Sequence, residues 1–185
     1  MGLKNKKLIV LDTNILMSDY MMCGHFFRAF WFWIDSFGHW VYIPEVVVVE
    51  AVKNYRASLN RLLNSTKKAV KLLNAHLPKD SKACAPELKI DQLVSDYEKM
   101  LRAKFQILEL PSLSHKQLLE FYAKGTAPYH HSESKKDGYR DTLVWLSVLE
   151  LIKKSRVLIA GCLLKTLPIS VLPKRTRFPT LTCLM

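Results

Sequence analysis

Apolar residues along the chain fall either in short unbroken runs or at helical spacing, and the alternation of the two sets the expected elements. Leu8-Ile9-Val10-Leu11 is an unbroken branched run ending at Asp12, which reads as a buried parallel strand over residues 8–12. Residues 26–37 are dense in aromatics, and Phe26, Phe30, Trp33 and Phe37 fit one helix face. Large aromatics mostly bury, so that face is expected to pack on the core; stacking on bases is the alternative use. His39 to Ile43 reads as a second strand, with Pro44 in the first turn of the next helix and Glu45 beside its positive end. The run Val46–Val49 has strand propensity, but Val48, Val52, Tyr55, Leu59 and Leu62 recur at helical spacing, so a helix is expected. Residues 66–77 extend or repeat it.

Two prolines and mixed charge make residues 78–90 a loop. Gln92 to Lys104 reads as helix and Gln106 to Leu110 as a short strand closed by Pro111. Ser114 is placed to cap a helix through Lys124, with Gly125 as its stop. A polar loop over 126–136 leads to a helix opened by Asp137 or Gly138 and running to about Lys154, and Val157 to Ala160 reads as a further strand. Strands alternating with helices imply an α/β fold with a parallel sheet and right-handed crossovers.

The chain has 185 residues, enough for one domain with one core, and its 49% apolar content excludes global disorder. A net charge of +12 suits a partner made of phosphate, although a merely soluble basic protein has the same balance. Cys23, Cys84, Cys162 and Cys183 are scattered, with no Cys-x-x-Cys pair, which argues against zinc and against a disulfide framework. A reducing, cytoplasmic setting is expected. The apolar stretch from Met21 to Ile34 is broken by His25 and Arg28 and falls short of the roughly 20 residues of a membrane span.

The acids carry the chemistry. Asp12 stands at the carboxyl end of the first strand, where open α/β sheets place ligands, and an acid beside Leu11 at a buried strand end needs a partner. Glu50 lies in the second helix. Asp137 and Asp141 are four apart and share a helix face, where like charges repel by a few tenths of a kcal/mol. A divalent cation offsets that repulsion, and carboxylate and water ligands are what magnesium and manganese prefer. Such a site turns a water into a nucleophile and stabilises charge on a phosphate. The plainer alternative is that these acids decorate helix ends and surface ion pairs; Asp137 fits an N-cap.

Three segments in order carry a family likeness: Leu8-Ile9-Val10-Leu11-Asp12-Thr13-Asn14, Ile43-Pro44-Glu45-Val46-Val47-Val48-Val49-Glu50, and Lys136-Asp137-Gly138-Tyr139-Arg140-Asp141-Thr142-Leu143-Val144-Trp145. Together they resemble a PIN domain, a family similar to the VapC-type toxin ribonucleases. The resemblance implies a three-layer α/β/α domain over residues 1–160 with a central, mainly parallel sheet. It implies an endoribonuclease dependent on Mg2+ or Mn2+, acting as a toxin or in RNA processing or defence. By position, Asp12, Glu50 and Asp141 become metal ligands, Asn14 orients Asp12 or a water, and Asp137 is a secondary ligand. The implied partners are RNA, an antitoxin-like protein and a second copy in a homodimer, without a membrane.

Charge supports the same substrate class. Between Ala51 and Lys104 there are twelve Lys or Arg against five Asp or Glu. Lys53, Arg56, Arg61, Lys67, Lys68 and Lys71 are expected on outward helix faces near Glu50, tracking an RNA backbone, with Arg140 joining them; a solvated helix face is the alternative for each. His130 and His131 precede Asp137 and are candidates for phosphate or base contact.

The last 25 residues, 161–185, are atypical. After Glu150 the 35 remaining residues hold no acid and seven Lys or Arg, with three prolines between 168 and 179. PIN domains usually place a further acid after the strand that here is Val157–Ala160. Suitable codons for residues 165–174, read one base earlier, give Lys-Asp-Phe-Ala-Asp-Ile-Arg-Ser-Thr-Lys, which is similar to the Lys-Asp-Phe element of that family. The hypothesis that follows is a reading frame shifted near Gly161–Leu164, which would remove one metal-site acid and the last part of the fold. Three hypotheses follow: a metal-dependent endoribonuclease, a weakened or inactive PIN-like RNA-binding protein, and a phosphotransferase with Asp12 as nucleophile. The third ranks last, because Asn14 stands where such chemistry wants a second Asp.

Overall fold

The computed structural model describes residues 7–112, 114–123, 138–155 and 162–163. The elements run β1 (Leu8–Leu11), α1 (Thr13–Ser18), α2 (His25–Phe37), β2 (Trp40–Pro44), α3 (Glu45–Asn74), a 3-10 turn (Lys79–Ser81), α4 (Ile90–Lys104), β3 (Gln106–Leu108), α5 (His115–Ala123), α6 (Tyr139–Ser155) and β4 (Cys162–Leu163). The four strands lie in the order β3-β2-β1-β4 and every pairing is parallel. The register aligns Ile9 with Val41, Ile43 with Ile107 and Leu11 with Leu163.

β1 is buried throughout because strands flank it on both sides and helices cover both faces. Alternation along the strands shows the layers. Ile9, Leu11, Val41 and Ile43 join Leu16, Phe27, Phe30, Val47, Val48, Ala51, Tyr97 and Leu101 in the larger core, under α1, α2, α3 and α4. Val10 and Leu108 point the other way and meet Val148, with Tyr42 and Leu151 packed beside them, under α6. The result is the expected three-layer α/β/α arrangement.

Most of the elements match their sequence patterns within a residue or two. The valine run Val46–Val49 is helical, part of a single 30-residue α3, and tertiary burial of Val47 and Val48 explains why strand propensity does not prevail. Ser114 forms a capping box: its Oγ accepts from the Gln117 amide at 3.3 Å while Gln117 Oε1 accepts from the Ser114 amide at 2.9 Å.

Three expectations change. The buried stripe of α2 is Phe27, Phe30 and Ile34, whereas Phe26 is 54% exposed and Phe37 is 44% exposed. An aromatic-only reading of the face leaves out Ile34; at about 100° per residue, the stripe through Phe27, Phe30 and Ile34 is turned by roughly 60° from the expected one. Pro44 ends β2 and caps α3 in extended conformation, instead of opening the helix. The third strand stops at Leu108, so Glu109 and Leu110 lie beyond it. The loop 126–136, the strand expected at Val157–Ala160 and the tail from 164 onward lie outside the described residues, while the β4 pair that joins β1 is Cys162–Leu163. Among the described residues no helix is long and apolar enough to cross a membrane.

Candidate functional site

The carboxyl edge of β1 and β2 collects the beginnings of three helices. β1 passes straight into α1 at Asp12, β2 passes into α3 at Pro44, and α3 packs against both α1 and α6. Asp12 is the N-cap of α1: its Oδ1 accepts from the Thr13 amide at 2.8 Å. An acid there is favoured by the positive end of the helix. Asn14, one turn position on, donates its Nδ2 to Asp12 Oδ2 at 3.1 Å, which fixes the plane of the carboxylate.

Glu50 lies in the second turn of α3 with its side chain 21% exposed. Both of its oxygens are engaged. Oε2 accepts from the buried hydroxyl of Thr13, and Oε1 accepts from Nη1 of Arg140. Arg140 sits in the first turn of α6 and reaches the neighbouring Asp141 Oδ1 through Nη2 at 3.3 Å. The turn below them is locked by Thr142, whose amide and hydroxyl both donate to Gly138 O, at 2.9 and 2.8 Å. A continuous chain of contacts therefore runs Asp12, Thr13, Glu50, Arg140, Asp141.

Electrostatics agree with that order. Partial burial opposes the charge on Arg140, yet the carboxylates of Glu50, Asp141 and Asp12 outweigh it and hold the guanidinium pKa above the usual arginine value. All three acids thus act on one cation from three different elements.

The structure brings Asp12, Asn14, Glu50 and Asp141 to the same edge of the sheet. Asp137, His130 and His131 lie outside the described residues. Arg140, expected to face RNA, stays partly exposed and reaches Glu50 and Asp141. Thr13 was given no role by its sequence position; a hydroxyl directly after a strand-end acid, on the inward side of the helix start, was the available signal. Arg140 carried a signal too, since a cation in the first turn of a helix opposes the dipole and calls for a specific anionic partner.

The donor chemistry fits a hard divalent cation: carboxylate oxygens from Asp12, Glu50 and Asp141, with the Asn14 amide close by, are ligands that Mg2+ and Mn2+ accept. Among the described residues, however, no group of three His, Cys, Asp or Glu already stands at metal-holding distances. The guanidinium of Arg140 lies between two of the donors.

Beyond Glu50, α3 continues for another 24 residues. From Ala51 to Lys79 the chain contains no acid, while Lys53, Arg56, Arg61, Lys67, Lys68 and Lys71 are all exposed on this helix. Arg56 is already paired, donating to Asp91 at 2.5 Å from α4. At 100° per residue, Arg61 and Lys68 come back to within about 20° of the direction of Glu50. At 1.5 Å rise, Lys68 lies roughly 27 Å along the axis from it.

A family model described as PIN domain matches residues 9–160, from inside β1 to beyond α6. No curated protein and no solved structure matches the chain. Most of the chain is matched, the sheet is parallel and three-layered, and acids from three elements gather at its carboxyl edge, so the chain belongs to the PIN domain family, a family of nucleases.

Proposed function

We propose that the protein is a metal-dependent endoribonuclease that hydrolyses RNA phosphodiester bonds at the edge bearing Asp12, Glu50 and Asp141. The observation that carries this reading is the single contact chain joining these acids through Thr13 and Arg140. Asp12, Glu50 and Asp141 would hold Mg2+ or Mn2+, with Asp137 as a further donor. Once bound, such a cation activates a water and neutralises charge developing on the phosphate. Asn14 keeps the Asp12 carboxylate in one orientation, and Thr13 does the same for Glu50. The acid-free side of α3, from Lys53 through Arg61, Lys67 and Lys68 to Lys71, supports RNA as the substrate, because helix surfaces ordinarily mix both signs of charge.

The test uses the full chain with RNA and Mn2+, then with a chelator, then as Asp12→Asn and as Asp141→Asn. Cleavage that disappears with chelation and in both variants, while RNA binding persists, is the expected result. Cleavage that survives in both variants overturns the assignment. Slowed growth on expression, relieved by a co-expressed antitoxin-like protein, would place the nuclease among toxins.

A second reading is a weakened PIN-like protein that binds RNA without cutting it. Its specific support is the guanidinium between Glu50 and Asp141 together with the acid-free sequence after Glu150. RNA binding with no cleavage at any metal concentration favours this reading.

A further inference from the structure

The acid gathering at the sheet edge already has a cation, and it is covalently part of the chain. Nη1 of Arg140 donates to Glu50 on α3, and Nη2 reaches Asp141 on α6 at 3.3 Å. These are different nitrogens on different acids from different helices, a bridge that the fixed fork of a planar guanidinium holds in one geometry. The first turn of α6 disfavours positive charge, and the arginine side chain is 46% exposed, so it fills no core volume.

We infer that Arg140 is an internal counter-cation that competes with the metal ion for Glu50 and Asp141. The inference rests on the reading of these acids as metal ligands. With the metal absent, the guanidinium screens the repulsion between carboxylates that the fold forces together. A divalent ion takes the same oxygens only when Arg140 lets go of them. Its partial exposure makes that release feasible: the side chain swings into solvent and leaves no cavity behind. Two of the candidate donors are organised around the guanidinium. Arg140 thereby sets a threshold metal concentration below which the site stays closed. Glu50 remains held by Thr13 throughout, so its position survives the exchange.

Two measurements test this on the full chain, neither of them an activity assay. Mn2+ titration by electron paramagnetic resonance is compared for wild type, Arg140→Gln and Arg140→Lys. Arg140→Gln is expected to bind about tenfold more tightly, the equivalent of one charge-assisted contact no longer in competition, with Arg140→Lys between the two. Equal or weaker binding by Arg140→Gln, with wild type still binding, overturns the counter-cation and leaves the metal site standing. If neither protein binds Mn2+, the metal reading itself fails. The second measurement needs no variant: nitrogen NMR of the arginine guanidinium groups in wild type during Mg2+ addition. The Arg140 side chain is expected to show hindered rotation without metal and free rotation at saturation. A guanidinium that stays restrained at saturating Mg2+ sinks the proposal.

Discussion

Glu50 and Arg140 are 90 positions apart in sequence and meet side chain to side chain. Glu50 comes from the second turn of the helix after β2, and Arg140 from the first turn of the last described helix. Their contact closes the chain of polar groups that begins at Asp12. It also places a permanent positive charge where the donor chemistry is right for a divalent ion.

The hydroxyl of Thr13 is the other restraint on Glu50. Thr13 is 2% exposed, so Thr13→Val keeps its shape and removes only the donor. Supporting contacts of this kind are typically worth about 10- to 100-fold in metal affinity or activity. Thr13→Val is expected to lower cleavage and Mn2+ affinity in that range, with about 1 kcal/mol lost in urea unfolding. Thr13→Ser should retain most of both. Unchanged Mn2+ affinity in Thr13→Val would show that the contact does not position the acid.

RNA held along α3 implies a salt signature. The triple variant Lys67→Gln, Lys68→Gln, Lys71→Gln removes three exposed cations far from Glu50. For a single strand, each phosphate contact contributes about 0.7 to the slope of log affinity against log salt. A drop of about 2 in that slope is expected, with cleavage chemistry intact at saturating RNA. An unaltered slope assigns these lysines to a solvated surface.

The face of α2 that holds the core can be tested by truncation. Phe27 is fully buried and touches Phe30 and Trp31 edge-on or stacked, at centroid distances of 6.2 and 6.4 Å. Phe27→Ala is expected to reduce stability by about 3–5 kcal/mol. Phe32, 75% exposed on the same helix, should tolerate Ser within about 0.5 kcal/mol. Similar losses for both in chemical denaturation would contradict the orientation of α2.

A pH effect follows from Glu45 at the start of α3. Arg102 donates to it twice, at 2.6 and 2.9 Å, and also to Glu98. The hydrogen bonds from Arg102 lower the Glu45 pKa, against an opposing effect of burial. A depressed carboxylate stabilises the fold above the unfolded pKa, near 4.3, and that contribution fades as pH falls through the lower folded value. Glu45→Gln is therefore expected to be less stable than wild type by about 1 kcal/mol at pH 7 and to converge with it as the pH falls below the lowered folded value. A gap of constant size across that interval would exclude ionisation as its source.

Much of this protein was open to inspection before any fold was known. The run Leu8–Leu11 declared a strand because four branched residues in a row suit burial on both faces. Asp12 stood out because a buried strand end leaves an acid in need of partners. Glu50 and Asp141 could be named as candidate ligands through the resemblance of their segments to a known family, and the capping box at Ser114 needed only local spacing. Other features were hidden. The exact face of α2 depended on Ile34, whose side chain is apolar without being aromatic. Thr13 and Arg140 each carried a local signal, but the partner it called for, Glu50, lies 37 and 90 residues away and only the fold identifies it.

What the amino-acid order alone determined was the succession of elements and the kinds of groups at their ends, since periodicity and capping are set by neighbours within a few residues. Tertiary structure decided which charges answer each other: that Arg56 belongs to Asp91, Arg102 to Glu45 and Arg140 to Glu50. An ion pair between elements forms only where their packing brings opposite charges within about 4 Å, and those crossings are settled by how the helices pack on the sheet.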